Sequence, residues 1–199
     1  MMKNIYLIGG GGHCVSCIDV IESTKEFVIK GIFDRQENVG QMILGYPIIG
    51  TDEDIEKYIS KDNFFLITLG QIKSTEVREK LAAHVARLQG QLVKVISSRA
   101  YVSPHAQIGA GTIVMHDVLV NANASVGDHC ILNSKSLVEH DAQIGNFCHV
   151  STGAIINGSV NIESRSFIGS NAVVKHSVTV SANSLIQAGQ FHQGKGVKS

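Results

Sequence analysis

The second half of the chain repeats with a period of six residues. From Val102 to Ile186 every sixth residue is Val, Ile or Leu, without interruption. The residue four positions after each of these is small or aliphatic, from Ala106 to Ser184. Two such registers predict a parallel β-helix, in which three hexads form one triangular coil and residues eighteen apart stack. An ordinary β-sandwich would show alternation with irregular turns instead. Fifteen hexads predict about five coils.

The two registers also predict what fills the prism. The aliphatic residue points inward, and the small residue occupies the narrow space near the corner, where a large side chain would overpack. Cys130 and Cys148 are eighteen residues apart in the small register, so we expect them to stack inside as small apolar fillers. Glycines that directly follow an aliphatic residue are expected where the chain turns, and these are Gly109, Gly127, Gly145 and Gly169.

The first half of the chain alternates strand and helix patterns. Apolar runs predict strands at residues 5–8, 28–33, 64–69 and 92–96. Helical spacing predicts one helix through Val15, Ile18 and Ile21, and another that Ser74 caps and that continues to Leu88. Buried parallel strands alternating with helices indicate a small α/β domain of Rossmann type. The sequence therefore predicts two domains, at residues 1–98 and 99–199.

Composition excludes several classes of protein. Seventeen basic and seventeen acidic side chains leave no net charge, which argues against nucleic acid as the main partner. The apolar runs are far shorter than the roughly 18 residues of a membrane helix, and the N-terminal residues lack the long apolar core of a signal peptide. Four cysteines are too few for a disulfide scaffold. We expect a cytoplasmic protein without a membrane span.

Several segments together resemble the NeuD/PglD-type sugar acetyltransferases of the hexapeptide-repeat acyltransferase superfamily. The matching segments lie in both halves of the chain: Ile8–His13, Phe33–Asp34, Thr68–Gly70, Asn133–Asp141 and Ile144–Ser151. The resemblance implies a left-handed β-helix, a homotrimer, and acetyl-CoA bound in a groove between adjacent prisms. It implies that the first domain binds the nucleotide-linked sugar acceptor.

A histidine followed by an acid stands in the central matching segment. Acetyl transfer needs a base for the proton that the nucleophile loses, and imidazole suits this at neutral pH. His140 comes two residues after Val138, so it projects outward from a coil. The resemblance places the family's general base at His140 and its orienting acid, commonly Glu, at Asp141. The alternative is a solvated surface histidine, and the shorter Asp141 leaves the orienting contact open.

Two further residues of this segment acquire roles from the resemblance. It places His149 near the acetyl thioester, where it would polarise the thioester or hold the cofactor, and Asn133 close to the acceptor. A subunit contact is an equal alternative for His149. A structural corner residue is an alternative for Asn133, because Asn tolerates the left-handed conformation.

The resembling family usually ends in a Gly-x-Pro-Ala-Lys/Arg tail that closes over the cofactor, and residues 187–199 do not contain it. We expect Ala188 and Gly189 to offer backbone groups to the pantetheine arm of the cofactor. The adenine end would be held differently, and Lys195 and Lys198 are assigned to its phosphates on charge alone.

A glycine-rich turn follows the first predicted strand. Residues 9–14 do not satisfy G-x-G-x-x-G, because Cys14 stands where the third Gly belongs, which disfavours a dinucleotide dehydrogenase. A strand, a glycine turn and a helix N-terminus nevertheless accept phosphate oxygens, and an acid at the end of the second strand can bind a ribose or base. With the resemblance, this assigns the sugar nucleotide to Gly10, Gly11, His13 and Asp34. The alternative is a tight turn without a ligand.

Two metal or redox readings are disfavoured. His140 and His176 fall on one edge of the prism two coils apart, as in the gamma-type carbonic anhydrases, but Ser181 occupies the position of the third zinc-binding His. Cys14 and Cys17 have redox spacing, but no second pair accompanies them, so packing is the expected role. We therefore expect no metal.

These observations predict an acetyl-CoA-dependent N-acetyltransferase that acts on a nucleotide-linked amino sugar for surface glycan synthesis. One alternative is O-acetylation of sialic acid or another glycan sugar by the same base. The other is a non-catalytic trimeric scaffold or sensor that binds sugar nucleotides.

Overall fold

The computed structural model describes residues 2–194. The chain forms two compact units. One runs to Gly70 and includes Glu76–Ser98, and the other combines Gln71–Thr75 with the chain from Arg99 onward. The segment Gln71–Thr75, which connects a strand and a helix of the first unit, thus belongs to the second. Lys195 and Lys198, to which the sequence assigned the cofactor phosphates, lie outside the described residues.

The first unit is an α/β sheet domain. Its sheet has the order β3-β4-β2-β1-β5-β6. All neighbouring strands are parallel except the β3–β4 hairpin. Two short 3-10 helices cover Gln36–Asn38 and Asp52–Tyr58. The strands and helices are β1 Lys3–Ile8, α1 Gly12–Thr24, β2 Phe27–Phe33, β3 Met42–Ile43, β4 Tyr46–Gly50, β5 Asn63–Ile67, α2 Glu76–Arg87, β6 Gln91–Leu92 and β7 Val95–Ile96.

The helices differ in detail from the sequence prediction. Ile18 and Ile21 are fully buried, as the helical spacing predicted, but Val15 is 42% exposed. Cys14 and Cys17 share the buried side of α1 with them, because spacings of three and four residues define one side of a helix. Helix α2 begins at Glu76 rather than directly after Ser74. The predicted strand at 92–96 is two separate short strands, β6 and β7.

The second unit is a parallel β-helix, as the hexads predicted. Each strand has two residues and pairs with strands eighteen residues away. The strands form three faces: the apolar face (β8, β11, β14, β17, β20, β23), the polar face (β9, β12, β15, β18, β21) and the histidine face (β10, β13, β16, β19, β22). The histidine face is named for His149, although its other outward residues, Ile113, Ile131, Phe167 and Leu185, are apolar. In chain order they are β8 Tyr101–Val102, β9 Gln107–Ile108, β10 Ile113–Val114, β11 Leu119–Val120, β12 Ser125–Val126, β13 Ile131–Leu132, β14 Leu137–Val138, β15 Gln143–Ile144, β16 His149–Val150, β17 Ile155–Ile156, β18 Asn161–Ile162, β19 Phe167–Ile168, β20 Val173–Val174, β21 Thr179–Val180, β22 Leu185–Ile186 and β23 Phe191–His192.

The interior of the prism follows the two registers. Val138 and Ile156 of the aliphatic register are fully buried, as are Cys130 and Cys148 of the small register. The backbone N–H of Cys148 lies 3.4 Å from the sulfur of Cys130. The predicted stacking of the two cysteines inside the prism is therefore confirmed.

The corners turn at a different residue from the one expected. The third residue after each aliphatic position has a positive φ at fourteen consecutive corners, from Gly111 to Gly189. The coil glycines, such as Gly127, lie two positions earlier and do not have positive φ, so placing them at the turn was wrong. A Cβ at Gly127 would lie 2.8 Å from the carbonyl carbon of Gly145. Glycine is required there because successive coils approach closely.

The faces differ in their outward residues. The apolar face presents a row of large apolar side chains: Tyr101, Leu119, Leu137, Ile155, Val173 and Phe191. The polar face presents Gln107, Ser125, Gln143, Asn161 and Thr179. The apolar face thus offers large apolar side chains, whereas the polar face offers hydrogen-bonding ones. Within residues 2–194, no helix has the length and apolar character required to cross a membrane.

Candidate functional site

His140 and Asp141 form a hydrogen-bonded pair at the corner between the apolar and polar faces. The His140 Nδ1–H donates to Asp141 Oδ2 over 2.7 Å. Asp141 has φ 62°, and this left-handed backbone brings the short carboxylate back to the ring. The two side chains are 54% and 46% exposed. The orienting contact that the sequence left open is therefore present, and Nδ1 donation leaves Nε2 as the basic atom of neutral His140.

Asparagines of the preceding coil hold both acids that flank His140. Asn123 Nδ2 donates to Asp141 Oδ1 over 2.6 Å. Asn121 Nδ2 donates to Glu139 Oε2 over 2.8 Å, and the same oxygen accepts from the His140 backbone N–H at 3.3 Å. The sequence analysis did not single out either asparagine. The eighteen-residue stacking rule could have found them, because each stands one coil before its acid.

This network shifts the pKa values of the pair in opposite directions. The hydrogen bond to Asp141 raises the pKa of His140 above its usual 6.5, and the charges of Asp141 and Glu139 act in the same sense. Hydrogen bonds from His140 and Asn123 hold the pKa of Asp141 below its usual range. Asp141 is thus an anion at neutral pH, suited to stabilise an imidazolium at His140.

Gly158 lies one coil beyond His140, and His176 lies one coil beyond Gly158. A Cβ at Gly158 would lie 2.8 Å from His140 Nε2 and 3.2 Å from His176 Nδ1. The two imidazole rings are 6.5 Å apart between centroids. The missing side chain at Gly158 therefore leaves the space that the basic edge of His140 faces. The sequence analysis did not identify Gly158, although the stacking rule places it between the two histidines.

His149 lies on the histidine face and is 7% exposed. Its Nδ1–H donates over 2.7 Å to the backbone carbonyl of Gln71, and Gln71 Nε2 donates to the Phe147 carbonyl. The Nδ2 of Asn133 lies 3.5 Å from His149 Nε2. The structure thus brings together His149 and Asn133, two predicted site residues, and adds Gln71. With Nδ1 engaged by Gln71, Nε2 is the ring atom of His149 that faces Asn133.

Ala188 and Gly189 lie at the corner between the histidine and apolar faces, not at the corner of His140. Both are exposed. The Gly189 N–H donates to the Ser170 carbonyl over 2.8 Å, as part of the stacking of coils. The carbonyl is therefore the backbone group that Gly189 offers to a cofactor.

In the first unit, the four predicted acceptor residues follow the carboxyl ends of β1 and β2 in the chain. A Cβ at Gly10 would lie 2.6 Å from Asp34 Oδ2, so the turn touches the acid. Asp34 accepts hydrogen bonds from the Arg35 N–H and the Asn38 amide, and a carboxylate has capacity for more. Gly11 is the N-cap of α1, and a Cβ there would meet nothing within 4 Å.

Two buried residues fix the loops around this edge. The Thr68 hydroxyl donates to the Gly9 carbonyl over 2.6 Å. Arg78 of α2 donates to the carbonyls of Ile67 and Leu69 at 3.2 and 2.5 Å. His13 lies beside Gly70, where a Cβ would be 3.7 Å from that of His13. Arg78 was not predicted, although it shares the buried side of α2 with Leu81 and Val85.

The cysteines and acids do not form a metal centre in the described part of the chain. No group of three or more His, Cys, Asp or Glu side chains within residues 2–194 is arranged to hold a metal ion. All four cysteines are buried. Burial raises the pKa of Cys14 to about 11 and that of Cys17 further still, which makes both thiols inert.

The predicted residues therefore occupy three separate places. Gly10, Gly11, His13 and Asp34 belong to the α/β unit. His140 and Asp141 lie at one corner of the prism, while His149 and Asn133 lie on or next to the histidine face. That face is opposite the corner of His140, because the corner joins the other two faces.

Family comparisons agree with this two-part architecture. Residues 4–85 match the family model of the PglD N-terminal domain, and residues 159–191 match that of the hexapeptide repeat of succinyl-transferase. The first part of the chain thus matches the PglD N-terminal domain, and a stretch of the second part matches the hexapeptide repeat. The predicted fold, an α/β domain followed by a left-handed parallel β-helix, is confirmed.

Solved structures similar to this chain include the acetyltransferase domain of PglB from Neisseria gonorrhoeae FA1090. It is 28% identical, with a TM-score of 0.86 over 94% of this chain and 89% of that chain. The same domain in complex with acetyl coenzyme A is 26% identical, with a TM-score of 0.86 over 95% and 90% of the two chains. WeeI from Acinetobacter baumannii AYE shares the fold, with 21% identity and a TM-score of 0.75 over 95% of each chain.

Two curated proteins match part of this chain. The uncharacterized protein L142 of Acanthamoeba polyphaga mimivirus is 38% identical over 110 residues, which is 55% of this chain and 21% of that protein. The UDP-N-acetylbacillosamine N-acetyltransferase of Bacillus subtilis (strain 168) is 29% identical over 118 residues, which is 57% of this chain and 52% of that protein. The matches thus span about a fifth and about half of the length of these relatives.

Proposed function

We propose that the chain is an acetyl-CoA-dependent N-acetyltransferase that acts on a nucleotide-linked amino sugar for surface glycan synthesis. The observation that carries the proposal is the 2.7 Å hydrogen bond from His140 Nδ1 to Asp141. It fixes the tautomer in which Nε2 of the neutral ring accepts a proton, and it directs that atom into the space above Gly158.

The reaction is a direct transfer. The acceptor amine attacks the thioester carbonyl carbon, and His140 Nε2 takes the proton that the amine loses. The C–S bond breaks, the thiolate of CoA leaves, and it takes the proton from the imidazolium, which returns His140 to its neutral form. Asp141, 2.7 Å from Nδ1, stabilises the imidazolium while it exists.

Burial of the cysteines supports direct transfer over an acetyl-enzyme intermediate. The chain has four cysteines, and each is buried. Cys130 and Cys148 point into the prism, where a thioester substrate has no access. A thiol nucleophile is therefore not offered to acetyl-CoA.

Similarities to known proteins support the donor and the acceptor class. The PglB domain, 26% identical, is solved in complex with acetyl coenzyme A. A curated relative, 29% identical over part of this chain, is a UDP-N-acetylbacillosamine N-acetyltransferase. The glycine turn at Gly10 and Gly11, next to Asp34, suits the phosphates and ribose of a sugar nucleotide. The cytoplasmic location expected from the sequence is where acetyl-CoA and nucleotide sugars are made.

The separation of His140 from His149 supports a homotrimer. Acetyl-CoA in contact with both histidines requires two prisms, because the two lie on opposite sides of one prism. In this arrangement the apolar face packs against neighbouring copies and the polar face stays in solvent. The donor would then lie between protomers, with His149 and the Gly189 carbonyl from one and His140 from the next.

An acetylation assay tests this function. The protein is incubated with acetyl-CoA and a panel of UDP- and GDP-linked amino sugars and sialic acids, and free thiol release is followed. We expect turnover with an amino sugar, reduced about 10²- to 10⁴-fold by His140→Ala. His116→Ala is the matched control, because His116 has the same hexad position at another corner. Full activity of His140→Ala would overturn the assignment of the base, and nucleotide-sugar binding without turnover would indicate the sensor instead.

A further inference from the structure

Asn123 lies directly behind the proposed acid–base pair, at the same corner of the preceding coil. Its Nδ2 is 2.6 Å from Asp141 Oδ1, and the other oxygen of that carboxylate is 2.7 Å from His140 Nδ1. The three side chains therefore form a continuous chain of hydrogen bonds. One amide donor and one imidazole donor fix the two oxygens of a single carboxylate.

The neighbouring groups show why Asp141 needs this second partner. Its side chain is 46% exposed, so packing does not restrict its rotation. The structure shows one further hydrogen bond to the carboxylate, and it comes from Asn123. A carboxylate that accepts from two fixed donors no longer rotates freely into solvent. The orientation of such a carboxylate controls the geometry of the reacting group that it contacts.

We infer that Asn123 is a positioning residue: it holds the Asp141 carboxylate in the orientation that accepts the Nδ1 proton of His140, and so keeps Nε2 free to act as the base. This inference rests on the proposed function only where it concerns turnover. The geometric part concerns the resting protein, and it holds whether or not the acceptor is known.

The backbone at position 123 allows a clean deletion of the side chain. Asn123 has φ 60°, which glycine adopts without strain, and Gly111 and Gly153 occupy the same hexad position. Asn123→Gly therefore removes the amide without disturbing the corner. Asn183 is an exposed asparagine at the same hexad position of another corner, and its φ is 59°. Asn183→Gly is the matched control for the change in backbone freedom.

Other charged or titratable groups around His140 remain in place in both variants. These are Glu139 on the same coil, held by Asn121, and His176 two coils further on. His105 lines one cavity with Asn123 and Asp141 and is likewise unchanged. A change in the His140 ring in Asn123→Gly, but not in Asn183→Gly, therefore reports the loss of the bond to Asp141.

The test is an NMR measurement on protein labelled with ¹⁵N-histidine, without substrates. The His140 signals are assigned by their absence in His140→Asn. In the parent and in Asn183→Gly we expect a ring protonated at Nδ1 when neutral. In Asn123→Gly we expect a larger fraction protonated at Nε2 and a His140 pKa shifted towards its ordinary value. An unchanged tautomer and titration in Asn123→Gly would overturn the inference.

Turnover provides a second measurement. With an active acceptor, Asn123→Gly should lower kcat about tenfold at nearly constant KM, on the scale of other partners placed behind a functional ligand. Unchanged kcat in Asn123→Gly, together with a clear tautomer shift, would overturn the catalytic part of the inference. If His140→Ala keeps full activity, the proposed function fails, while the NMR result still decides the positioning of the ring.

Discussion

The Nδ1 of His140 and the Oδ2 of Asp141 lie 2.7 Å apart although the two residues are adjacent in the chain. Side chains of consecutive residues in a strand point to opposite sides. The pair meets because Asp141 has a left-handed backbone at the corner, with φ 62°. The backbone conformation at the corner thus orients the side chains of two consecutive residues so that they form a hydrogen bond.

The first prediction concerns the carboxylate itself. Asp141→Asn keeps the size of the side chain but presents an amide that can donate to Nδ1, which favours the tautomer with the proton on Nε2. We expect kcat to fall about 100-fold, within the range of general-base effects. Asp117→Asn is the control, since Asp117 occupies the same hexad position and forms an exposed ion pair with Arg99. Equal activity of Asp141→Asn and the parent would contradict the role of the pair.

The second prediction is the pH dependence of turnover. The base must be neutral, so kcat/KM falls as the pH drops through the pKa of His140. Because the bond to Asp141 raises this pKa above 6.5, the acidic limb should lie above pH 6.5. In Asp141→Asn the limb should move to lower pH, since the partner charge is gone. Initial rates in buffers of constant ionic strength check this, and a limb that does not move would exclude His140 as its origin.

The third prediction concerns Gly158. Alanine stands at the same hexad position elsewhere, at Ala122 and Ala182, so the backbone accepts Gly158→Ala. Its Cβ would lie 2.8 Å from His140 Nε2, and the half-exposed ring must swing away. We expect a loss of about 100-fold in kcat, as for a reacting group misplaced by about 1 Å, with the melting temperature nearly unchanged. A large drop in the melting temperature of Gly158→Ala would contradict this role. If the drop persists when His140→Ala is added to Gly158→Ala, Gly158 is structural.

The fourth prediction concerns nucleotide binding at the N-terminus of α1. A Cβ at Gly11 meets nothing within 4 Å, so Gly11→Ala should change the free energy of unfolding by less than about 0.5 kcal/mol. If the phosphates approach the backbone there, the added methyl group keeps them away, and the affinity for UDP- or GDP-sugars should fall at least about tenfold. Calorimetry on the parent and on Val15→Ala, an exposed change in the same helix, gives the comparison. Unchanged affinity in Gly11→Ala would remove Gly11 from the acceptor site.

The fifth prediction concerns assembly. Leu137→Glu puts a charge in the middle of the apolar face, and a buried interface does not accept an unpaired charge. We expect light scattering to show monomers, and acetyl transfer to be lost with the trimer. Thr179→Glu makes the same change on the polar face and should leave a trimer. A trimeric Leu137→Glu protein would contradict the use of the apolar face.

The sequence by itself determined the architecture of the second unit. A prism three hexads around has room for one aliphatic and one small residue per side, so two unbroken registers admit few other folds. The same rule predicted that Cys130 and Cys148 stack inside. In the first unit, the strand and helix order predicted an α/β domain, but the buried face of the first helix was misjudged at Val15, which is exposed. Side-chain type alone does not distinguish a buried stripe from an adjacent one on a short helix.

Only the tertiary structure decided how the site is held together. Whether the short Asp141 reaches His140 depends on a backbone angle, and its second partner Asn123 comes from another coil. His149 is fixed by the carbonyl of Gln71, a contact across 78 residues of sequence. Local sequence encodes the period of the coils and points to the proposed acid–base pair. It does not encode contacts of this kind, because they arise only when distant segments pack and their polar groups must find partners.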